Sequence, residues 1–229
     1  MTQLGTGFTE STEKNTSKSL DSSSDSLKNR IARPALFLDR DGVINADHGY
    51  VHRKESIEWI KGIFDLVRWA NQKSWWVVVV TNQSGIGRGL YDEADFHYLT
   101  DWMHAQFQQR QAKIDAVYHC PHHPSQAKAT YQIDCNCRKP KPGMLLRAAH
   151  DLTIDLPQSV LVGDNLSDMQ AGKSAGLNQL FLLKNPDAAT KKTTQKLDST
   201  DEIFDNFQEF DSLDSILKAL KQLLKSDHH

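Results

Sequence analysis

The sequence predicts an α/β fold, a Rossmann-like and mainly parallel sheet with helices on both faces, and three observations lead there. Four short apolar runs, Ala35–Leu38, Trp75–Val80, Val160–Val162 and Leu180–Leu183, have the length of strands buried on both faces. Helical patterns separate them, and strands alternating with helices imply a parallel sheet. Polar motifs follow the apolar runs at one end of the sheet, where ligands bind in such folds.

Taken in order, the elements support this reading. Met1 to about Arg30 is rich in Ser, Thr, Asp and Lys. It cannot bury enough surface to offset its ordering entropy, so residues 1–30 are expected to form a disordered tail. Ile63, Leu66, Val67 and Ala70 recur at helical spacing, and Asp92 is placed to cap a helix carrying Phe96, Leu99, Met103 and Phe107. Pro142 suits the first turn of a helix through Leu146 to His150, and Ser167 and Gly176 bracket another. Leu213, Ile216, Leu217, Leu220 and Leu224 form one stripe of a last helix. The sequence thus reads as one domain over residues 31–225 with a frayed end at 226–229.

Composition narrows the partners. The 229 residues carry 27 basic and 29 acidic side chains, a formal charge of −2. No basic excess is present to neutralise a nucleic-acid backbone or an anionic membrane, so neither is expected as a partner. The longest apolar run, Trp75 to Val80, is far short of the ~20 residues that span a bilayer, and Met1 to Ser26 lacks the apolar core of a secretory signal. All three cysteines lie between Cys120 and Cys137. That clustering suggests reduced thiols binding metal in a cytoplasmic protein rather than a disulfide framework.

Four polar stretches carry the candidate chemistry. Asp39-Arg40-Asp41-Gly42 ends the first strand, and two carboxylates so close repel each other unless a cation such as Mg²⁺ holds them; alone, the motif also suits a surface Asx turn. Thr81-Asn82-Gln83-Ser84-Gly85-Ile86-Gly87-Arg88-Gly89 follows the second strand and can offer hydroxyl, amide and backbone donors to phosphate, although its glycines do not fit Walker spacing. Cys137-Arg138-Lys139-Pro140 brings a lysine able to neutralise both an aspartate and a phosphoryl group. Gly163-Asp164-Asn165-Leu166-Ser167-Asp168 adds a carboxylate at the same sheet edge, where Ser167 or Asp168 could equally cap a helix.

A second metal site stands apart from these. Cys120-x-His122, twelve intervening residues, then Cys135-x-Cys137 offer three thiolates and an imidazole, a closed tetrahedral set for structural Zn²⁺. His123 is the adjacent alternative, but Cys-x-His mirrors Cys-x-Cys and favours His122.

In order and placement, the four stretches resemble the motifs of the haloacid dehalogenase superfamily over roughly Ala35 to Leu183. The resemblance implies a Mg²⁺-dependent phosphomonoesterase with Asp39 as nucleophile and Asp41 as general acid/base. It implies that Thr81 and Lys139 steady the phosphoryl group. Mg²⁺ would be held by Asp39, Asp164 and the main-chain carbonyl of Asp41, with Asp168 supporting the site from behind. The zinc loop with Asp-Arg-Asp-Gly and Thr-Asn-Gln is similar to the branch containing histidinol-phosphate phosphatases and heptose bisphosphate phosphatases. Asn45 to His52, Thr81 to Gly89 and Cys120 to Pro124 look like the heptose members. This implies removal of the 7-phosphate of a small phosphorylated sugar, D-glycero-D-manno-heptose 1,7-bisphosphate, in lipopolysaccharide biosynthesis. Substrate contacts are then implied at Asp47, His48, Gly49, Tyr50, Thr81, Asn82, Gln83, Ser84, Arg138, Lys139 and Asn165. Asn165 stands where the family pattern leads one to expect lysine. Only about twenty residues separate Asp41 from the first core helix, too few for a large cap domain. The enzyme is expected to act as a monomer.

Overall fold

The computed structural model describes residues 31–184 and 206–226; the expected tail over 1–30 and the last three residues of the chain lie outside them. Strand β1, Ala35–Leu38, is buried at every position. Its alternate side chains serve opposite faces, as the pleat requires. Leu36 and Leu38 belong to one apolar cluster, whereas Ala35 and Phe37 belong to another. The first cluster takes in Ile63, Leu66, Val67 and Ala70 from helix α1, Ile63–Gln72, and Leu213, Ile216 and Leu220 from the C-terminal helix. The second takes in Met144, Leu145 and Ala148, then Met169, Ala171 and Ala175. Helices therefore cover both faces, and the apolar runs of the sequence are the strands between them.

The remaining elements follow in chain order. Strand β2 is Trp76–Asn82, the short helix α2 is Ser84–Arg88, and α3 is Glu93–Gln109. Strand β3, Ala116–Cys120, leads into the cysteine loop, and α4, Gly143–Leu152, follows that loop. Strand β4 is Val160–Gly163, α5 is Leu166–Ala175, β5 is Gln179–Leu183, β6 is Gln208–Phe210, and α6 is Leu213–Ser226. The order across the sheet is β3-β2-β1-β4-β5-β6, and every pairing is parallel. Because the chain runs from β1 outward to β2 and β3 and then returns to β4 on the other side of β1, the connections part at the carboxyl end of β1 and open a crevice there. Asp39 stands there, its N–H donating to the Val162 carbonyl at 3.0 Å.

Local chemistry explains where the helices begin. Asp92 accepts from the Asp95 N–H, while Asp95 accepts in return from the N–H of Asp92, a reciprocal cap worth about 1 kcal/mol. Helix α5 starts earlier than the expected Ser167. Asn165 is its cap and accepts from the Ser167 N–H, and Asp168 closes the box. Gly176, in the left-handed region at φ 89°, ends the helix as expected. Strands β3 and β6 and helix α2 were not anticipated. Between Asp41 and α1 lie one 3-10 turn, Lys54–Ser56, and isolated bridges, so this segment holds no cap domain.

Candidate active site and cysteine cluster

The carboxyl ends of β1, β2 and β4 surround a cavity of about 390 Å³. Asp39, Asp41, Asp47, Gly49, Tyr50, Thr81, Asn82, Gln83, Ser84, Lys139, Asp164 and Asn165 line it, and sequence reasoning had singled out all twelve. Gly85 and Ser167, which belong to the motif stretches without having been named as site residues, also line it, as does Tyr91, which nothing in its local sequence marked. His48 and Arg138 are absent from its wall. His48 is exposed and pairs with Glu58 at 3.1 Å. The guanidinium of Arg138 donates to the His122 carbonyl at 3.2 Å.

Lys139 is the electrostatic centre. Its Nζ lies 2.9 Å from Asp39 Oδ1 and 2.5 Å from Asp168 Oδ1, and it donates to the Val80 carbonyl at 2.9 Å. Burial works against its charge, but Asp168 and Asp39 outweigh that and hold the ammonium group well above its usual range. The Asn82 side chain fixes the lysine's backbone. Its amide donates to the Lys139 carbonyl, and its oxygen accepts from the Lys139 N–H, both at 3.1 Å. A residue 57 positions away is thereby locked to the tip of β2.

One lysine does not balance this site. Asp39, Asp164 and Asp168 gather carboxylate oxygens within 4.8 Å of one another. Burial, opposed by Lys139 and reinforced by Asp168 and Asp41, pushes the Asp39 carboxyl up to about 7. Burial and the charge of Asp39 push Asp164 up to about 8. Two carboxyls so reluctant to ionise beside a free carboxylate edge make a donor set that fits a hard divalent cation such as Mg²⁺. Gly42 permits the approach: with φ at 90°, a Cβ there would fall 1.9 Å from Asp164 Oδ2, so only glycine lets β1 and β4 present their carboxylates together.

Asp41 lines the same cavity with different partners. Its carboxylate accepts from Arg40 Nε and Nη2, from Asn45 Nδ2 and from Gln83 Nε2. It lies outside the three-carboxylate cluster, as suits a group that handles protons.

The cysteine loop closes on itself above the end of β3. Cys137 Sγ is 3.2 Å from Cys120 Sγ, 3.1 Å from Cys135 Sγ and 3.3 Å from His122 Nδ1. Cys120 Sγ stands 3.5 Å from Cys135 Sγ and 3.7 Å from His122 Nδ1. These separations are far longer than a disulfide. Zn–S bonds of about 2.3 Å set ligand atoms roughly 3.5–3.8 Å apart in a tetrahedron, close to what is seen. Burial pushes the Cys120 thiol up, so a thiolate there needs a cation beside it. His123 is turned elsewhere, its Nδ1 accepting from the Ser125 and Gln126 N–H groups.

Fold and site together define a phosphatase of the class that uses Mg²⁺ and an aspartate nucleophile, and comparison with known proteins agrees. A family model described as HAD-hydrolase-like matches residues 136–210. A D-glycero-beta-D-manno-heptose-1,7-bisphosphate 7-phosphatase of Vibrio cholerae is 44% identical over 162 residues, spanning 71% of this chain and 87% of that protein. The D-glycero-alpha-D-manno-heptose-1,7-bisphosphate 7-phosphatase of Burkholderia mallei is 48% identical over 167 residues, 73% and 86% respectively. The crystal structure of D,D-heptose 1,7-bisphosphate phosphatase from B. bronchiseptica, complexed with magnesium and phosphate, superposes with a TM-score of 0.69 at 31% identity over 82% of this chain and 98% of that one. The chain belongs to the haloacid dehalogenase-like phosphatases, in the family of these heptose bisphosphate phosphatases. Among the described residues no helix is long and apolar enough to cross a membrane.

Proposed function

We propose that the enzyme hydrolyses the 7-phosphate of D-glycero-D-manno-heptose 1,7-bisphosphate, as a cytoplasmic monomer, on the route to nucleotide-activated heptose for lipopolysaccharide. The observation that carries this is the convergence of Asp39, Lys139 and Asp164 on one cavity, joined to the names of relatives up to 48% identical. Asp39 is the nucleophile. Its Oδ1 is tied to Lys139 and to the Arg40 N–H, which leaves the other oxygen for phosphorus. As the Asp39–phosphorus bond forms, the ester P–O bond breaks and the leaving oxygen takes a proton from the Asp41 carboxyl. The ionised Asp41 then takes a proton from the water that attacks the aspartyl phosphate, freeing Asp39 and inorganic phosphate. Lys139, with the Thr81 hydroxyl at the cavity wall, balances charge on the transferring oxygens. Asp39, Asp164 and the Asp41 carbonyl are the groups that would hold Mg²⁺, which when bound supplies positive charge to the phosphoryl oxygens. Asp168 keeps Lys139 charged from behind.

Cys120, His122, Cys135 and Cys137 are assigned to structural Zn²⁺. The loop they close carries Arg138 and Lys139 directly after its last cysteine, so the metal braces the catalytic lysine. Asp47, Tyr50, Ser84 and Asn165 are assigned to the sugar. They line the cavity and combine donors and acceptors.

A phosphate-release panel tests the reading: both anomers of heptose 1,7-bisphosphate, histidinol phosphate, fructose 1,6-bisphosphate and a 3′-phosphorylated oligonucleotide. Heptose bisphosphate should exceed histidinol phosphate in kcat/KM by at least about 100-fold, roughly 2.7 kcal/mol of transition-state discrimination. Equal values would overturn the heptose assignment and leave the phosphatase chemistry standing.

A further inference from the structure

Arg40, Gln83 and Tyr91 are polar residues only 3%, 2% and 7% exposed, and neither phosphate nor metal explains their burial. Polar groups so deep persist where their hydrogen bonds are made. Followed outward, those bonds converge on the Asp41 carboxylate. Arg40 forks onto it through Nε and Nη2, and Nη2 is anchored to the Val51 carbonyl at 2.6 Å, while Nη1 is buried without a hydrogen-bond partner among the described residues. Gln83 donates one N–H to Asp41 Oδ2 at 3.0 Å and the other to Thr81 Oγ1 at 2.8 Å. Both of its donors are thus spent inside the protein.

A carboxamide can be turned over, and the reversed Gln83 would aim its carbonyl oxygen at the carboxylate and repel it. Tyr91 opposes that reversal. Its hydroxyl donates to Gln83 Oε1 at 2.5 Å, and burial holds the phenol protonated, pushed up to about 12. The ring has little freedom to withdraw. It lies parallel to the His52 imidazole at 4.9 Å, and a Cβ on Gly85 would meet it at 2.2 Å. His52 is held in turn by a 2.8 Å contact with the Tyr50 carbonyl.

We propose that Tyr91, acting through Gln83, is a positioning residue for Asp41: it fixes the amide that, opposite Arg40, aims the carboxyl at the oxygen leaving phosphorus. The proposal rests on the reading of Asp41 as the acid. An alkoxide needs that proton to leave; p-nitrophenolate, a weak base, leaves without it. A misaimed Asp41 therefore slows alkyl phosphates far more than p-nitrophenyl phosphate. The quantity to compare is kcat/KM, which covers the steps through phosphoryl transfer and is blind to later hydrolysis of the aspartyl phosphate.

The test uses the full chain with Mg²⁺ and zinc present, with the best sugar phosphate of the panel set against p-nitrophenyl phosphate. Tyr91→Phe deletes one oxygen and keeps the ring. It should lower kcat/KM for the sugar phosphate about 10- to 100-fold, a fraction of what a general acid contributes, and lower that for p-nitrophenyl phosphate at least fivefold less. Gln83→Met, which removes the amide at similar size, should give the same pattern, and adding Tyr91→Phe to it should cost less than about twofold more. Asp41→Asn, run alongside, should show the larger version of the same selectivity. If Asp41→Asn slows both substrates equally, the assignment of Asp41 as the acid is itself wrong and the proposal falls with it. If Asp41→Asn is selective while Tyr91→Phe and Gln83→Met slow both substrates in equal proportion, or neither, the positioning role is refuted and the mechanism stands.

Discussion

Asp39 and Asp168 flank the same lysine, at 2.9 and 2.5 Å, yet replacing each by asparagine should move stability in opposite directions. Asp168 is fully buried and meets two partners: the Lys139 ammonium, ion-paired at Oδ1, and the Asn165 N–H, hydrogen-bonded at Oδ2. Asparagine has one acceptor oxygen, so its amide nitrogen must face one of these donors. An unsatisfied buried donor costs about 1–3 kcal/mol, and removing one partner of a buried ion pair costs about 3–5. Lys139 keeps Asp39 and the Val80 carbonyl, so Asp168→Asn should destabilise by about 2–4 kcal/mol. Asp39 differs because the Arg40 N–H and Lys139 Nζ both meet its Oδ1. An asparagine oxygen can serve both, with the amide nitrogen turned to the cavity. At pH 8 without Mg²⁺ the ionised Asp39 is a burden, its carboxyl having been pushed up to about 7. At about 1.4 kcal/mol per pKa unit, and with Asp164 sharing the repulsion, Asp39→Asn should stabilise the Mg²⁺-free protein by about 1–3 kcal/mol while abolishing turnover. Urea unfolding at pH 8 in Mg²⁺-free buffer, with zinc retained, measures both. Saturating Mg²⁺ should then stabilise the wild type more than Asp39→Asn. Equal destabilisation by the two substitutions would refute the idea that Asp39 is held against its own charge while Asp168 is held by its bonds.

The same electrostatics predict a pH dependence. Asp39 and Asp164 have folded-state pKa values raised above the unfolded one, so the native state binds more protons than the unfolded chain between about pH 4 and 8. Their contribution to stability is thus full below about pH 4 and is lost progressively as pH rises, the loss being complete once pH has passed through the folded values of about 7 and 8. Because metal binding displaces those protons, the Mg²⁺-induced rise in Tm should be larger at pH 8 than at pH 5.5, and a rise that shrinks with pH would contradict the site. Zinc should copurify at about one per chain; Cys135→Ser should lower zinc content, Tm and kcat together, and zinc-free wild-type protein would count against the cluster. Gly85→Ala should lower activity at least about tenfold, since its Cβ must displace the Tyr91 ring from 2.2 Å; steady-state kinetics at wild-type level would show that the ring moves freely.

What the sequence disclosed and what it withheld follow from burial. Strands β1, β2, β4 and β5 were legible because two covered faces demand unbroken apolar runs. Strand β3 contributes Ala116 to His119 at partial burial, and β6 is three residues with two exposed, so neither leaves a run to find. Helix α2 hides in a glycine-bearing stretch read as loop. Helix α5 was foreseen but begins at Leu166, because Asn165 takes the capping role assigned to its neighbours. The core positions of α3, Phe96, Leu99, Met103 and Phe107, are all buried as the period required.

The polar residues of the site divide as well. Asp39, Lys139 and Asp164 could be named because their motifs, each open alone to a turn, a loop or a cap, follow one another in an order that resembles a known family. An amide has many uses. Asn82 and Gln83 read as phosphate donors, yet Asn82 holds the Lys139 backbone and Gln83 spends both N–H groups on Asp41 and Thr81. Their partners lie 57 and 42 residues away in the chain for Lys139 and Asp41, beyond any local pattern. Tyr91 is further hidden, since its role exists only through Gln83. The motif at the end of β2 therefore does two things at once. Thr81 and Ser84 line the cavity, while its amides hold the catalytic lysine through Asn82 and the proton-carrying aspartate through Gln83. Catalysis needs such groups held in line before substrate arrives, and these two amides are where this chain does so.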